Sequence, residues 1–314
     1  MQKNIIGSTK TSISTKKDKG FRYFLLILPF LLLTFAFAYF PLHGWIYSFW
    51  DYRPALGLAG SNFVGLNWFV MLFGNPAQVQ ELRRVMTNTF AMSFLTLGTS
   101  MLPMFVAILL NEIRFTRFKK YVQVLTTLPN FISWILVYSM AFMLFSTTGM
   151  VNTLLQDLDL ITTPIRFLDT HRFTWLQMLG WGIWKGLGWG CIIYLAAIAG
   201  IDQELYEAAR VDGANRFHLM RHITFPSLLP TYLVLFLLAT AGFLNNGLEQ
   251  FFVFQNAFNR ANIEVLDLYI YNVGIASGNL SLGTAVSMLK SIVSVVLLFT
   301  VNFISKKIRG ESII

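Results

Sequence analysis

Long apolar runs separated by short polar clusters organise this chain. Charge-poor windows recur six times, over residues 23–49, 87–110, 121–145, 174–200, 223–244 and 281–305. Each is about the 20 residues that a helix needs to cross ~30 Å of hydrocarbon, so each predicts a membrane-spanning helix. A stretch rich in Gly, Asn, Pro and aromatics, 51–86, predicts an extracytoplasmic loop with short helices. One segment breaks the pattern. Residues 201–227 are charged, yet Leu205, Tyr206, Ala208, Ala209 and Val211 are spaced as in a short amphipathic helix. Gly213 stops that helix, because glycine accepts the left-handed cap conformation. A second short helix over about 215–222 then leads into the fifth span, with Pro226 in the first turn, where a missing N–H costs little.

Composition supports the membrane reading. Only 12% of residues are charged and 55% are hydrophobic, with mean hydropathy +0.58. An average soluble domain carries about 25% charged residues, so too few polar side chains exist here to cover a water-soluble globule. The formal charge of +9, from 24 basic and 15 acidic residues, first suggests nucleic acid, but placement removes that reading. One side of the spans collects Lys3, Lys10, Lys16, Lys17, Lys19 and Arg22, then Arg114, Arg117, Lys119 and Lys120, then Arg210, Arg216 and Arg221, then Lys306, Lys307 and Arg309. The other side holds only Arg53, Arg83, Arg84, Arg166, Arg172 and Arg260. By the positive-inside rule both termini are cytoplasmic, which an even number of spans requires. The chain then divides into a basic cytoplasmic tail (1–22), a first transmembrane helix (23–50), an extracytoplasmic loop (51–86), a five-helix core (87–305) and a cytoplasmic tail (306–314). Ala36-Phe37-Ala38 resembles a signal cleavage site, but the apolar run continues to Trp50, so an uncleaved anchor is expected. Cys191 is the single cysteine and reads as a small buried hydrophobe. His218 and His222 are four apart, but Leu219 stands where a zinc-protease motif needs Glu, and no metal site is expected.

The cytoplasmic segment carries a recognisable pattern. Glu207-Ala208-Ala209, three residues, Gly213, nine residues and Ile223-Thr224-Phe225-Pro226 resemble the EAA loop, E-A-A-x3-G-x9-I-x-L-P, of bacterial binding-protein-dependent ABC importers. Phe225 replaces the leucine. FVGLNWF (63–69), LLNEI (109–113), LPNFISW (128–134), YLAAIAGIDQELYEAARVDGA (194–214), NNGLEQ (245–250) and SLGTAVSMLKS (281–291) look like carbohydrate-uptake permeases, in the polysaccharide and complex-oligosaccharide branch, similar to maltose- and alginate-type systems. The resemblance covers nearly the whole chain after residue 20. It implies an all-α polytopic membrane protein with six transmembrane helices in the type I ABC importer permease fold, sited in the bacterial inner membrane. It further implies that 203–226 forms a coupling helix docked on an ATPase, where Glu207 pairs with a basic residue, Ala208 and Ala209 permit close approach, and Asp212 and Gly213 complete the turn. The implied partners are a second homologous permease, two cytoplasmic ATPase subunits and an extracytoplasmic solute-binding protein. The basic tail before the first span is typical of the first member of such pairs. The sequence has no G-x-x-x-x-G-K-[ST] phosphate loop, so ATP and Mg belong to the partner ATPase, with no cofactor expected in this chain.

Candidate substrate-path residues follow from polarity at depth. Trp184, Lys185 and Trp189 lie on the fourth span, and Asn245, Asn246, Glu249 and Gln250 end the fifth. Lys290 sits inside the sixth. A charged residue within a span faces a wet cavity or a partner, so both lysines have a substrate reading, hinting at an acidic oligosaccharide, and a structural one. Gly182, Gly186 and Gly190 recur every fourth residue and predict close helix packing. Trp175 reads as an interfacial anchor. Two alternatives remain open. One is the same transporter architecture for a glycerol-phosphate-type compound or a peptide; the other is a membrane-embedded Ser–Lys hydrolase using Lys290 with Ser287 or Ser291.

Overall fold

A computed structural model describes residues 14–170 and 173–309. Lys3, Lys10, Arg172 and residues 310–314, which entered the topology argument, lie outside the described residues. Among the described residues six helices are long and apolar enough to cross a membrane: Gly20–Phe49, Pro76–Asn111, Trp134–Asp157, Thr174–Ala199, Arg216–Ala241 and Leu280–Lys307.

Helix α1 (Ser14–Thr34) passes through a π turn and a 3-10 segment to Phe49. Its first half stands free of the rest of the chain, with Phe21 through Leu42 largely exposed. A two-residue antiparallel pair follows, β1 (Trp50–Asp51) with β2 (Asn62–Phe63), and then α2 (Asn67–Gly74). Helix α3 (Pro76–Gly98) starts well before residue 87, where the apolar window begins, because Asn75 caps its N-terminus by accepting from the Ala77 N–H at 3.0 Å. The second span is not continuous. A turn at residues 99–101 separates α3 from α4 (Leu102–Asn111). Side-chain hydroxyls satisfy the carbonyls there: Thr99 Oγ1 donates to Leu95 O at 2.9 Å and Ser100 Oγ to Leu97 O at 2.6 Å. Irregular backbone at membrane depth survives only where its polar groups are met or line a cavity.

The expected third span, 121–145, is likewise divided. Helix α5 (Thr116–Thr127) ends at a 3-10 turn, Leu128–Phe131, carrying Pro129. Ser133 then caps α6 (Trp134–Phe145), which is followed by α7 (Met150–Asp157). Proline lacks the N–H that would continue α5. The long α8 (Thr174–Ala199) comes next and leads into the short α9 (Gln203–Val211). Helix α10 (Arg216–Leu219) is not a separate short helix. It runs through a π turn at Met220–Thr224 straight into α11 (Phe225–Ala241). Short helices α12 (Glu249–Phe254), α13 (Arg260–Ile263) and α14 (Leu266–Tyr271) pack against α3, α6 and α8, and α15 (Leu280–Arg309) closes the bundle.

Three apolar clusters hold these elements together. The first packs Met92, Val137, Met178, Phe251 and Phe254. The second joins Met104, Ile108, Cys191, Tyr194 and Leu228 across α4, α8 and α11. The third joins Leu72, Val85, Tyr269 and Val286 near the outer face. Cys191 is buried as expected, and its thiol donates to Pro103 O at 3.2 Å.

Candidate functional site

The segment between α8 and α11 is built by caps. Asp202 accepts from the Glu204 N–H at 2.9 Å to start α9. Gly213 takes φ +82° beyond its C-terminus, the Gly213 N–H donates to Arg210 O at 3.1 Å and the Ala214 N–H to Ala209 O at 2.9 Å. This paired closure satisfies carbonyls the helix would otherwise orphan, and it needs a left-handed residue at that position. Asn215 caps the next helix through the His218 N–H at 3.0 Å. Pro226 cannot donate, and just ahead of it the helix widens so that Phe225 N–H reaches Met220 O. One contact ties α9 to the span behind it: Tyr206 Oη and Thr224 Oγ1 lie 2.9 Å apart, with Thr224 buried. Glu207, Ala208, Asp212 and Gly213 remain exposed and Ala209 is half-buried, while Val211 is 88% exposed. Helix α9 is therefore anchored by one face and open on the other.

The second site lies within the bundle. A cavity of about 320 Å³ opens where α3 breaks before α4. Its polar lining is Thr96, Thr99, Ser100, Asn245, Asn246 and Gln250, against Gly182 and Gly186 of α8. Gln250 Nε2 donates to Met178 O at 2.6 Å, and Asn246 Nδ2 donates to Ser93 Oγ at 3.0 Å. Among the described residues the buried Asn246 Oδ1 finds no hydrogen-bond partner. Each amide thus uses its NH2 within the protein. The cavity brings together Asn245, Asn246 and Gln250 of the expected path residues, but Trp184, Lys185, Trp189, Glu249 and Lys290 are not part of its wall. Trp184 and Trp189 are 40% and 51% exposed, Trp189 lying edge-on to Phe131, and Glu249 is exposed at the start of α12.

Both membrane lysines have partners within the chain. Lys185 Nζ donates to the carbonyls of Ile132 at 2.6 Å, Asn130 at 2.8 Å and Pro129 at 3.3 Å, and sits 5.4 Å from the Trp134 ring centroid. Its three donors therefore cap the broken backbone between α5 and α6. Lys290 Nζ pairs with Asp267. Ser291 Oγ donates instead to Ser287 O at 2.9 Å, so the Lys290 ammonium is committed to a carboxylate rather than to either serine.

Two further expectations change. Of the predicted glycine face, Gly190 packs on Pro103, but Gly182 and Gly186 open on the cavity. The close approach occurs at Gly188, where a Cβ would collide with the Thr126 carbonyl. Trp175 does more than an interfacial anchor would: its indole N–H donates to Asn262 O at 2.8 Å and Asn88 Oδ1 at 3.2 Å. It belongs to an outer polar cluster that sequence reading missed. There Glu264, 0% exposed, meets Arg84 at 2.5 Å and Asn272 at 2.7 Å. Tyr269 packs close by, its phenol pushed up to about 12 by burial and then by the charges of Glu81 and Glu264.

Residues 99–310 match the family described as the binding-protein-dependent transport system inner membrane component. The chain belongs to this family. The permease is 39% identical over 300 residues to Protein LplB of Bacillus subtilis (strain 168), covering 95% of this chain and 92% of that protein. It is 37% identical over 299 residues to the polygalacturonan/rhamnogalacturonan transport system permease protein YteP of the same organism, covering 92% and 89%. Among solved structures it is similar to a chain of a bacterial ABC transporter involved in the import of the acidic polysaccharide alginate, with a TM-score of 0.82, 28% identity, and coverage of 94% of this chain and 98% of that one. The permease is thus a multi-pass membrane subunit of ABC importer architecture, a transport component rather than an enzyme.

Proposed function

We propose that this permease is the first of two paired subunits forming the path for an oligosaccharide in an ATP-driven importer, with α9 as its coupling helix. The carrying observation is the geometry of α9: the Tyr206–Thr224 contact fixes it to the helix that continues through the membrane, while Glu207 and Ala208 face outward. A small residue beside a single acid suits tight, oriented docking on a partner ATPase, which binds the ATP and Mg. Closure of the ATPase pair then moves the attached span as a rigid body. In this reading both termini are cytoplasmic in the bacterial inner membrane, and a solute-binding protein delivers the sugar from outside.

The 320 Å³ cavity supports a sugar path through its hydroxyls and amides. Acidic oligosaccharides are the first class to test, because YteP and the alginate transporter carry the names of acidic polysaccharides. Among the described residues the cavity wall holds no Lys or Arg, so such acid groups would be met elsewhere along the complex. The decisive experiment is uptake by the reconstituted complex of permeases, ATPase and binding protein. Short oligogalacturonides should be transported, and Glu207→Ala with Gly213→Pro should reduce uptake about tenfold or more, a coupling loss of ~1.4 kcal/mol at least. Full uptake by that double variant overturns the coupling reading.

A further inference from the structure

The outer end of α11 is held as deliberately as its inner end. Counting α10 and the π turn, this helix runs over Arg216–Ala241, 26 residues, or about 39 Å at 1.5 Å per residue. Its cytoplasmic end carries the Tyr206–Thr224 contact. Its outer end turns into residues 242–248, and there Asp267 of α14 gathers the chain. One carboxylate oxygen, Oδ2, accepts from two successive backbone N–H groups, Asn246 at 3.0 Å and Gly247 at 3.1 Å. Gly247 has φ +82°, a conformation that a side chain would resist. The other oxygen, Oδ1, accepts from Lys290 of α15. The two side chains are only 18% and 13% exposed. Asn246 is held from a third direction by Ser93 of α3, whose hydroxyl in turn donates to Phe243 O.

We infer that Asp267 and Lys290 are positioning residues that lock the cavity-lining turn at 245–247 to α15, giving the coupled helix a fixed outer point. This rests on the coupling reading above. The physical case is that a buried carboxylate with one unpaired oxygen is costly, so the lysine and the turn stabilise each other's placement. The cavity residues Asn245, Asn246 and Gln250 take their positions from this turn and the helix after it. A helix driven from one end transmits motion to the cavity only if its other end is constrained.

The test uses Asp267→Asn with Lys290→Met, which removes both charges, keeps an oxygen for the two N–H groups and cuts the link to α15. In the assembled complex in nanodiscs, a Leu244→Cys probe beside the turn, where the native side chain is 2% exposed, is labelled with maleimide; Cys191 is 1% exposed and contributes little background. Labelling should rise about fivefold or more, the lower bound of a coupling of ~1 kcal/mol. Stimulation of ATPase by the binding protein loaded with short oligogalacturonides should fall by a similar factor. Lys290→Arg alone, with Asp267 retained, should leave both at the wild-type level. Unchanged labelling in the double variant overturns the inference. If the double variant does not assemble, Lys290→Gln is read in its place, with the same expectation and the same refuting result. Loss of assembly in Lys290→Arg also overturns it, since a positioning cation tolerates that exchange. A wild-type complex that does not respond to the loaded binding protein faults the substrate assignment alone, because the labelling arm needs no sugar.

Discussion

Lys185 and Lys290 look alike in sequence, each a lone cation in an apolar run, yet their surroundings solve opposite problems. At Lys185 the backbone is the deficient party. Pro129 ends α5 and leaves the carbonyls of the turn short of helical donors; Pro129 O keeps only the Ile132 N–H at 3.2 Å, and an ammonium from the neighbouring helix reaches it together with Asn130 O and Ile132 O. At Lys290 the deficient party is a side chain: Asp267 spends one carboxylate oxygen on two amides of a turn, and the lysine meets the other. An intramembrane charge therefore does not by itself mark substrate. Its meaning depends on whether a neighbour, in this case one distant in sequence, already needs it.

Three substitutions on α8 test the Lys185 side of this comparison. Gly188→Leu should have the largest effect. Gly188 is where α8 presses against the Thr126 backbone, so a side chain there pushes Lys185 off its carbonyls. A loss of roughly 4 kcal/mol or more is expected, beyond ordinary overpacking because backbone rather than a side-chain tip is struck. It should show as a complex that fails to survive solubilisation on size-exclusion chromatography. Lys185→Met keeps the aliphatic stem but strands the carbonyls, at an expected cost of about 2–3 kcal/mol, read as a lowered Tm in detergent. A Tm equal to wild type would mean that water or a neighbour replaces the ammonium, and the cradle reading would fall. Gly186→Ala is the smallest change. Nothing lies within 4 Å of its missing Cβ, so a gain of about 0.5 kcal/mol from helix propensity is expected. A marked loss there would show that the open face of α8 is packed in the assembled importer.

Much of the segment around α9 was legible because its determinants are local. Asp202, Gly213, Asn215 and Pro226 each act within a few residues of their own position, and capping chemistry has sequence signatures. The first span was legible for a related reason: it is a bare apolar helix whose exposed side chains need only lipid. The breaks in the second and third spans were harder to see. Their apolar content is continuous, and what permits irregular backbone is a hydroxyl or an ammonium from elsewhere. Ser100 also meets Tyr232 at 3.1 Å, 132 positions away. The outer polar cluster was invisible for the same cause. Glu264 and Asp267 read as ordinary loop acids until the fold brought Arg84 and Lys290 to them. Gly188 escaped notice because a four-residue glycine spacing drew attention to its neighbours, whereas contact is set by which face of α8 meets α5.

The sequence alone determined that the chain crosses a membrane, how many times, and which segment carries the importer motif. Those properties depend on transfer of apolar side chains into hydrocarbon and on short-range caps, both additive along the chain. Only the tertiary structure decided which polar groups are free. Hydrogen-bond partners in a bundle come from helices far apart in sequence, and a buried charge takes its role from the partner that satisfies it.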